Sequence, residues 1–495
     1  MTRHRLFKPL FLFLPLLLAC QPEGKESSEI TPTVQEESYE KINTLVNEYL
    51  KKNYLWNEEY RTLKPDFSLK YDDFLETTLT SMKTNVLDHK KKETGEGQVV
   101  SSLFSYIIQI DPALKANSGG TTRATIEAKQ LEFNYGLVSL QPVGYRNSDK
   151  VGFIVLGVHP ESSAHKAGLK RGDEITQVNH VTLNINNYRS HLIELLMPES
   201  AQSTTVNTHD GKNHDLSSAP IAPNPILYSQ VVQRNKGNIG YLVYSHFEAG
   251  FDQELFDKFK TFKRAGVTDL ILDLRYNAGG HVSSANLIAS CIAGTACQGK
   301  VFSIYEYNKE RNKTIPESAR TERFAYNSYY NLNRQSLNEG ALNLKRLYCL
   351  TTSQTASASE LLINALRGID VEVILIGTTT KGKNVGMETT ELNDGKSDYK
   401  LYPVTFYTLN AKRESDYSDG FRPTYTQSES VSAIYDFGTT NEPFLNRALN
   451  LIDGNTRLEN LNASTRSRSA SSSGQALEPP IFRSSDMILT PSSRF

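Results

Sequence analysis

Residues 268–282 read TDLILDLRYNAGGHV. The opening Thr268 to Leu274 is an apolar, Leu- and Ile-rich run of strand length, which reads as a buried strand. It gives way to Asn277-Ala278-Gly279-Gly280, a tight bend, before a helix that begins near Val282. Backbone amides exposed at such a turn, beside a helix N-terminus, suit a developing negative charge. Upstream, Asn238 to Ser245 (NIGYLVYS) is a second β-rich run, and Phe251 to Phe262 between the two has helical periodicity. Downstream lies a polar, Tyr- and Asn-rich stretch at 309–343 that reads as an insertion. After it a strand resumes at Arg346 to Thr351, a helix starts near Ser357, and β runs follow at Val373 to Ile376 and Leu401 to Leu409. This alternation predicts an α/β core with a β-α-β arrangement, inside a chain of mixed α+β class.

Two more segments of the core carry chemistry. In Thr355-Ala356-Ser357-Ala358-Ser359-Glu360, small residues sit between a strand end and a helix start, where a serine can be held toward a cleft. Thr380-Lys381-Gly382-Lys383-Asn384-Val385-Gly386 is a loop just after a strand. A serine hydroxyl is a weak nucleophile at neutral pH, and the domain has no signature of a Ser-His-Asp triad. A neutral amine can replace the imidazole. Free Lys titrates near ~10.4, so such a role requires Lys383 to be desolvated and to have no close carboxylate, whereas Lys381 reads as solvent-facing. Each string alone is commonplace, as a helix N-cap, a turn and a bend. Their order and their positions at strand ends join them.

Ahead of the core, Leu131 to Ala219 holds short β runs. Tyr135-Gly136-Leu137-Val138 precedes the strand-like Gly152 to Val158, and Ser162 to Asn179 follows as a short helix, a Gly172-Asp173 turn and an Ile175-x-x-Val178-Asn179 strand. This stretch resembles the PDZ family. The resemblance implies that a target's C-terminus adds as a strand to a sheet edge, with the loop Tyr135, Gly136, Leu137 and Val138 holding its carboxylate and Asn187 to Leu196 as the flanking helix. Further upstream, Ile42, Leu45, Val46, Tyr49 and Leu50 mark one buried helical face, and Tyr54, Leu55, Trp56 and Tyr60 an aromatic packing cluster. The polar stretches Lys90 to Gln98 and Asn117 to Thr122 read as loops.

The D-L-R-x-N-x-G-G run, the S-A-S-E turn and the G-K-x loop, in this order, resemble the carboxy-terminal processing (tail-specific) serine proteases. The likeness extends to Asp419-Gly420-Phe421-Arg422-Pro423 and covers roughly residues 100–453. It implies Ser357 as nucleophile, Lys383 as general base, the amides of Gly279 and Ala358 as oxyanion hole, and the mixed α/β spiral of the Clp protease and crotonase group. Where the family often has a Gln four residues after the lysine, this chain has Met387, which cannot make a strong hydrogen bond. Glu388 next to it suits holding a protonated lysine, and Ser359 or a backbone carbonyl is left as the orienting group. The function implied is a serine endopeptidase gripping substrate C-termini. The rival is a peptide- or ligand-binding protein, or an adaptor, on the same fold.

The chain starts with Arg3, His4, Arg5 and Lys8 before an apolar run from Leu10 to Ala19, then Cys20. That is a secretory signal pattern, too short to span a bilayer, and Leu17-Leu18-Ala19-Cys20 resembles the lipobox of bacterial lipoproteins. Lipidation at Cys20 and a place in a bacterial cell envelope, periplasmic or surface-exposed, are expected. The resulting division is 1–19 signal, 20–37 tether, 38–125 helical domain, 126–222 PDZ-like domain, 223–453 peptidase core and 454–495 a tail, poor in residues to bury, expected to be disordered. A formal charge of −1 and a pI near 6.8 give no basic field for nucleic acid. Neither CxxC nor HExxH occurs and the ten His are scattered, so no metal or cofactor is expected. Cys291 and Cys297 could pair; with Cys349 the count leaves at least one thiol free. Oligomeric state is not legible.

Overall fold

The computed structural model describes residues 38–84, 88–93, 99–110, 132–455, 475–477 and 488–489. The signal, Cys20 and the tether lie outside them, as does the stretch at 117–122. The predicted alternation forms a six-stranded sheet in the order Ile226–Arg234, Gly237–Tyr244, Val267–Asp273, Arg346–Thr351, Glu372–Gly377, Tyr425–Thr426. Its first pair is antiparallel and the rest parallel. The continuous apolar run at 268–274 has a simple cause. Leu270 and Leu272 pack on one face, against helices Asp252–Arg264, Val282–Ala293 and Ala358–Gly368, while Ile271 faces helix Pro443–Ile452 on the other.

A second sheet, ordered Thr321–Arg323, Val301–Tyr307, Val404–Leu409, Val385–Glu388, Ile488–Leu489, carries the lysine segment. The amino-terminal helices Glu40–Asn53, Asn57–Tyr60 and Tyr71–Thr80 bury Ile42, Val46, Leu50, Tyr54 and Phe74 in one core with Val385, Met387, Leu401 and Val404. They are the back wall of the lysine strand. Tyr326, Tyr329, Leu332 and Leu337 from the stretch read as an insertion are likewise buried, in the main core.

Residues 132–221 form a β-rich module. Its sheet runs Asn213–Ser217, Ser203–Thr208, Glu174–Val178, Val151–Val158, Leu137–Gly144, Gln475–Ala476, with helix Tyr188–Leu196 beside the last full strand. Glu132–Asn134 pairs antiparallel with Ala219–Ile221, so the chain enters and leaves this module at one neck.

Two expectations need correcting. Lys90 to Glu93 belongs to a strand, His89–Glu93, paired antiparallel with Val99–Leu103; a run of polar residues can add to a backbone ladder as well as form a loop. The tail, expected to lack structure, supplies two short strands, each at an open sheet edge. Composition decides whether a segment can bury a core of its own. It does not decide whether a segment can add backbone hydrogen bonds to an edge that another part of the chain provides. The open question of the cysteines also closes: Cys291, Cys297 and Cys349 are all free and buried. No helix among the described residues is long and apolar enough to cross a membrane.

Candidate active site

Strand Val267–Asp273 delivers the Asn277-Ala278-Gly279-Gly280 turn, which is pinned on both sides. Phe247 N–H donates to Gly279 O at 2.8 Å and His281 N–H to Phe247 O at 2.9 Å. The Asn277 carbonyl accepts from Ala356 N–H and from Ser359 Oγ, both at 3.1 Å, while Thr355 Oγ1 donates to Leu274 O at 2.7 Å. Turn and serine segment are thereby laced together. Gly279 has φ +120°, and a Cβ there would stand 2.8 Å from the Ser357 Cβ, so only glycine fits beside this serine.

Ser357 sits at the mouth of helix Ala358–Gly368 with φ 61° and ψ −114°, a conformation rarely adopted by a residue with a side chain. It is fully buried, and its Oγ has no hydrogen-bond partner among the described residues. Strain plus an unsatisfied hydroxyl costs stability, and such costs concentrate where chemistry is done.

Lys383 is also fully buried, its Nζ 4.6 Å from the Phe104 ring centroid. Glu360, one helical turn after the serine, ties the two segments. Its Oε2 accepts from the backbone N–H of Ser357 at 3.0 Å and of Lys383 at 2.8 Å, and its Oε1 from Gly382 N–H at 2.7 Å and the Thr380 hydroxyl. Burial pushes this carboxyl above its usual range, opposed by those four donors. Gly382 has φ +85°, and a Cβ on it would meet Ser418 O at 2.2 Å. The 418–423 segment thus buttresses the lysine loop, with Phe421 N–H donating to Thr380 Oγ1 at 2.7 Å.

Sequence reasoning passed over Glu360 as a functional residue, although an acidic residue three after a helix-opening serine is a recognisable capping signal. It also missed Asp88, for which the polar stretch around it gives no signal. Asp88 is fully buried and accepts from Tyr54 Oη at 2.5 Å, Ser105 Oγ at 2.7 Å and the amides of Phe104 and Ser105. Burial raises its pKa, those hydrogen bonds lower it, and the charge of Lys383 adds to the lowering. Met387 is fully buried in the core behind the strand. Glu388 is turned to Arg311 and to Tyr307 Oη, the latter at 3.0 Å. Ser359 spends its hydroxyl on the Asn277 carbonyl.

Of the oxyanion-hole expectation, the Ala358 N–H opens the helix next to Ser357, but the Gly279 N–H donates to Asn277 Oδ1 at 2.9 Å. In the PDZ-like loop, the Gly136 N–H donates to Asn134 Oδ1, Tyr135 is fully buried, and Leu137 opens the strand Leu137–Gly144, with the half-buried Val138 next along it.

Residues 238–426 match peptidase family S41 and residues 134–203 match the PDZ domain. The chain is 27% identical over 293 residues to the carboxy-terminal processing protease CtpA of Bacillus subtilis, covering 58% of this chain and 55% of that one. It is 26% identical over 247 residues to the chloroplastic carboxyl-terminal-processing peptidase 1 of Arabidopsis thaliana, covering 49% and 46%. The aligned stretch thus spans about half the length of these relatives. A crystal structure of an S41 protease candidate from Bacteroides fragilis superposes with a TM-score of 0.62 at 25% identity, over 83% of this chain and 98% of that one. Sequence, fold and motif order agree: the chain carries a core of peptidase family S41, similar to the carboxy-terminal processing serine proteases, fused to a PDZ domain.

Proposed function

We propose that this protein hydrolyses peptide bonds of envelope or secreted proteins with Ser357 as nucleophile and Lys383 as general base, and that the PDZ domain presents substrate C-termini. The observation that carries the reading is the Glu360 carboxylate, which accepts from the amides of both residues and so holds their segments in one buried place. Lys383 Nζ, as the neutral amine, takes the Ser357 hydroxyl proton while Oγ bonds to the scissile carbonyl carbon. The same proton passes from Nζ to the leaving nitrogen as the C–N bond breaks. Water then attacks the acyl-enzyme ester, giving a proton to Nζ and returning Ser357. Ala358 N–H and Gly279 N–H face the developing oxyanion; for Gly279 this requires exchanging Asn277 Oδ1 for the substrate oxygen.

The finer fold reading, the spiral of the Clp protease and crotonase group, and lipid attachment at Cys20 belong to this proposal. Further support for the latter is the basic-apolar-Cys pattern of residues 3–20. A fluorophosphonate probe tests the chemistry. Labelling of the chain from residue 21 onward is expected, absent in Ser357→Ala and reduced by roughly 10²-fold or more in Lys383→Ala. Labelling unchanged by either substitution overturns the reading in favour of a binding protein.

A further inference from the structure

The PDZ sheet ends in strand Leu137–Gly144, and on its outer edge lies a piece of the chain's own tail. Gln475 pairs with Gly144 and Ala476 with Val143, antiparallel, so the tail runs toward the Tyr135–Val138 loop. Leu477 continues the ladder: its N–H donates to Pro142 O at 3.0 Å, and its carbonyl accepts from Gln141 Nε2 at 2.9 Å. The Leu477 side chain packs against the core of the module, which includes Leu192 of the flanking helix. This is the geometry in which an extended peptide augments a sheet edge, with backbone bonds for affinity and an apolar contact for selectivity.

A second piece of the same tail pairs with the edge of the lysine strand. Ile488 pairs with Met387 and Leu489 with Glu388, in parallel, on the strand that begins two residues after Lys383. This piece also lies near helix Val282–Ala293, the helix that follows the Gly279-Gly280 turn.

We propose that tail residues 475–477 and 488–489 are a built-in peptide ligand that occupies the PDZ edge and the edge of the lysine strand of its own chain and competes with incoming polypeptide C-termini. The inference rests on the peptidase reading only for the second edge; occupation of the PDZ edge stands without it. A tethered ligand acts at an effective concentration on the order of mM. Against an intrinsic affinity of ~10 μM, that lowers the apparent affinity for a free peptide by ~100-fold.

The test uses the full chain from residue 21 carrying Ser357→Ala, with and without Leu477→Pro and Leu489→Pro, which put a strand-breaking residue at both edges and, at Leu477, remove the N–H given to Pro142 O. The probe is a fluorescein-labelled synthetic peptide of residues 473–495, titrated by fluorescence anisotropy. The proline variant is expected to bind it at least ten-fold more tightly than the chain with its native tail. Hydrogen exchange is expected to quicken at Leu137–Gly144 and Val385–Glu388 and nowhere else. Equal affinity, binding by neither chain, or unchanged exchange overturns the proposal. The two readings fail separately. Equal affinity removes the tail ligand and leaves Ser357-dependent fluorophosphonate labelling of the unsubstituted chain untouched; tighter binding and faster exchange, with labelling that Ser357→Ala does not change, do the reverse.

Discussion

Substituting Glu360 by Gln keeps the side chain's shape but replaces one oxygen, which accepts two hydrogen bonds, by an NH2 that can only donate. The variant is expected to lose about 1–3 kcal/mol of stability in urea unfolding. Its kcat/KM should fall at least ten-fold, carried by kcat, because the amides being held belong to Ser357 and Lys383. Gly279→Ala should destabilise the chain and lose nearly all probe labelling, since the new Cβ at φ +120° needs the space 2.8 Å from Ser357 Cβ. Met387→Gln places an unpaired amide in a fully apolar setting and should destabilise by about 1–3 kcal/mol without a gain in activity. At this scale the candidate serine, lysine and glycine turn are visible in the sequence, because each stands in a short motif. Asp88 and Phe104 come from a region of no pattern, and only the folded chain brings them to the lysine.

Elements with strong periodicity were readable. Strand Gly237–Tyr244 and helix Asp252–Arg264 lie within two residues of where their apolar spacing put them. Less readable was the stretch after residue 308, whose Tyr and Asn content suggests a surface excursion. Its polar atoms are instead consumed inside: Tyr329 Oη and, at 2.8 Å, Asn331 Nδ2 donate to the Asp252 carboxyl at the start of the helix. Burial raises that carboxyl to about 7. An acid raised on folding contributes stability that is fully present below its unfolded pKa, near ~4, and is lost as pH climbs through the folded value. The wild type should therefore lose stability relative to Asp252→Asn between about pH 4 and pH 7. Urea unfolding of both proteins at pH 5 and pH 8 checks the sign; a difference independent of pH contradicts it.

Across the whole molecule, the PDZ module and the peptidase core meet at a buried charge cluster. Arg171 of the module donates to Tyr276 Oη at 2.7 Å and to Glu429 at 2.6 Å, while the fully buried Arg275 engages Asp273, Glu429 and Glu442. The two guanidiniums hold the Glu429 carboxyl below its usual range despite burial. Arg171→Leu strands part of that negative charge and should cost about 3–5 kcal/mol, with the loss seen in calorimetry. The modules themselves were legible in sequence, because each carries its own motif set. Their shared interior was not: Arg171 and Glu429 are 258 positions apart, and nothing local links them.

The three free cysteines bear on how the fold could be watched at work. Cys349 lies in a central strand, Cys291 within helix Val282–Ala293 and Cys297 just beyond it, all buried, and burial pushes each thiol above its ordinary range. Alkylation must wait for opening, since only an exposed thiolate reacts. A timed iodoacetamide pulse followed by mass analysis thus turns these side chains into an internal stopwatch, dating the breathing of helix and sheet separately in the unmodified protein.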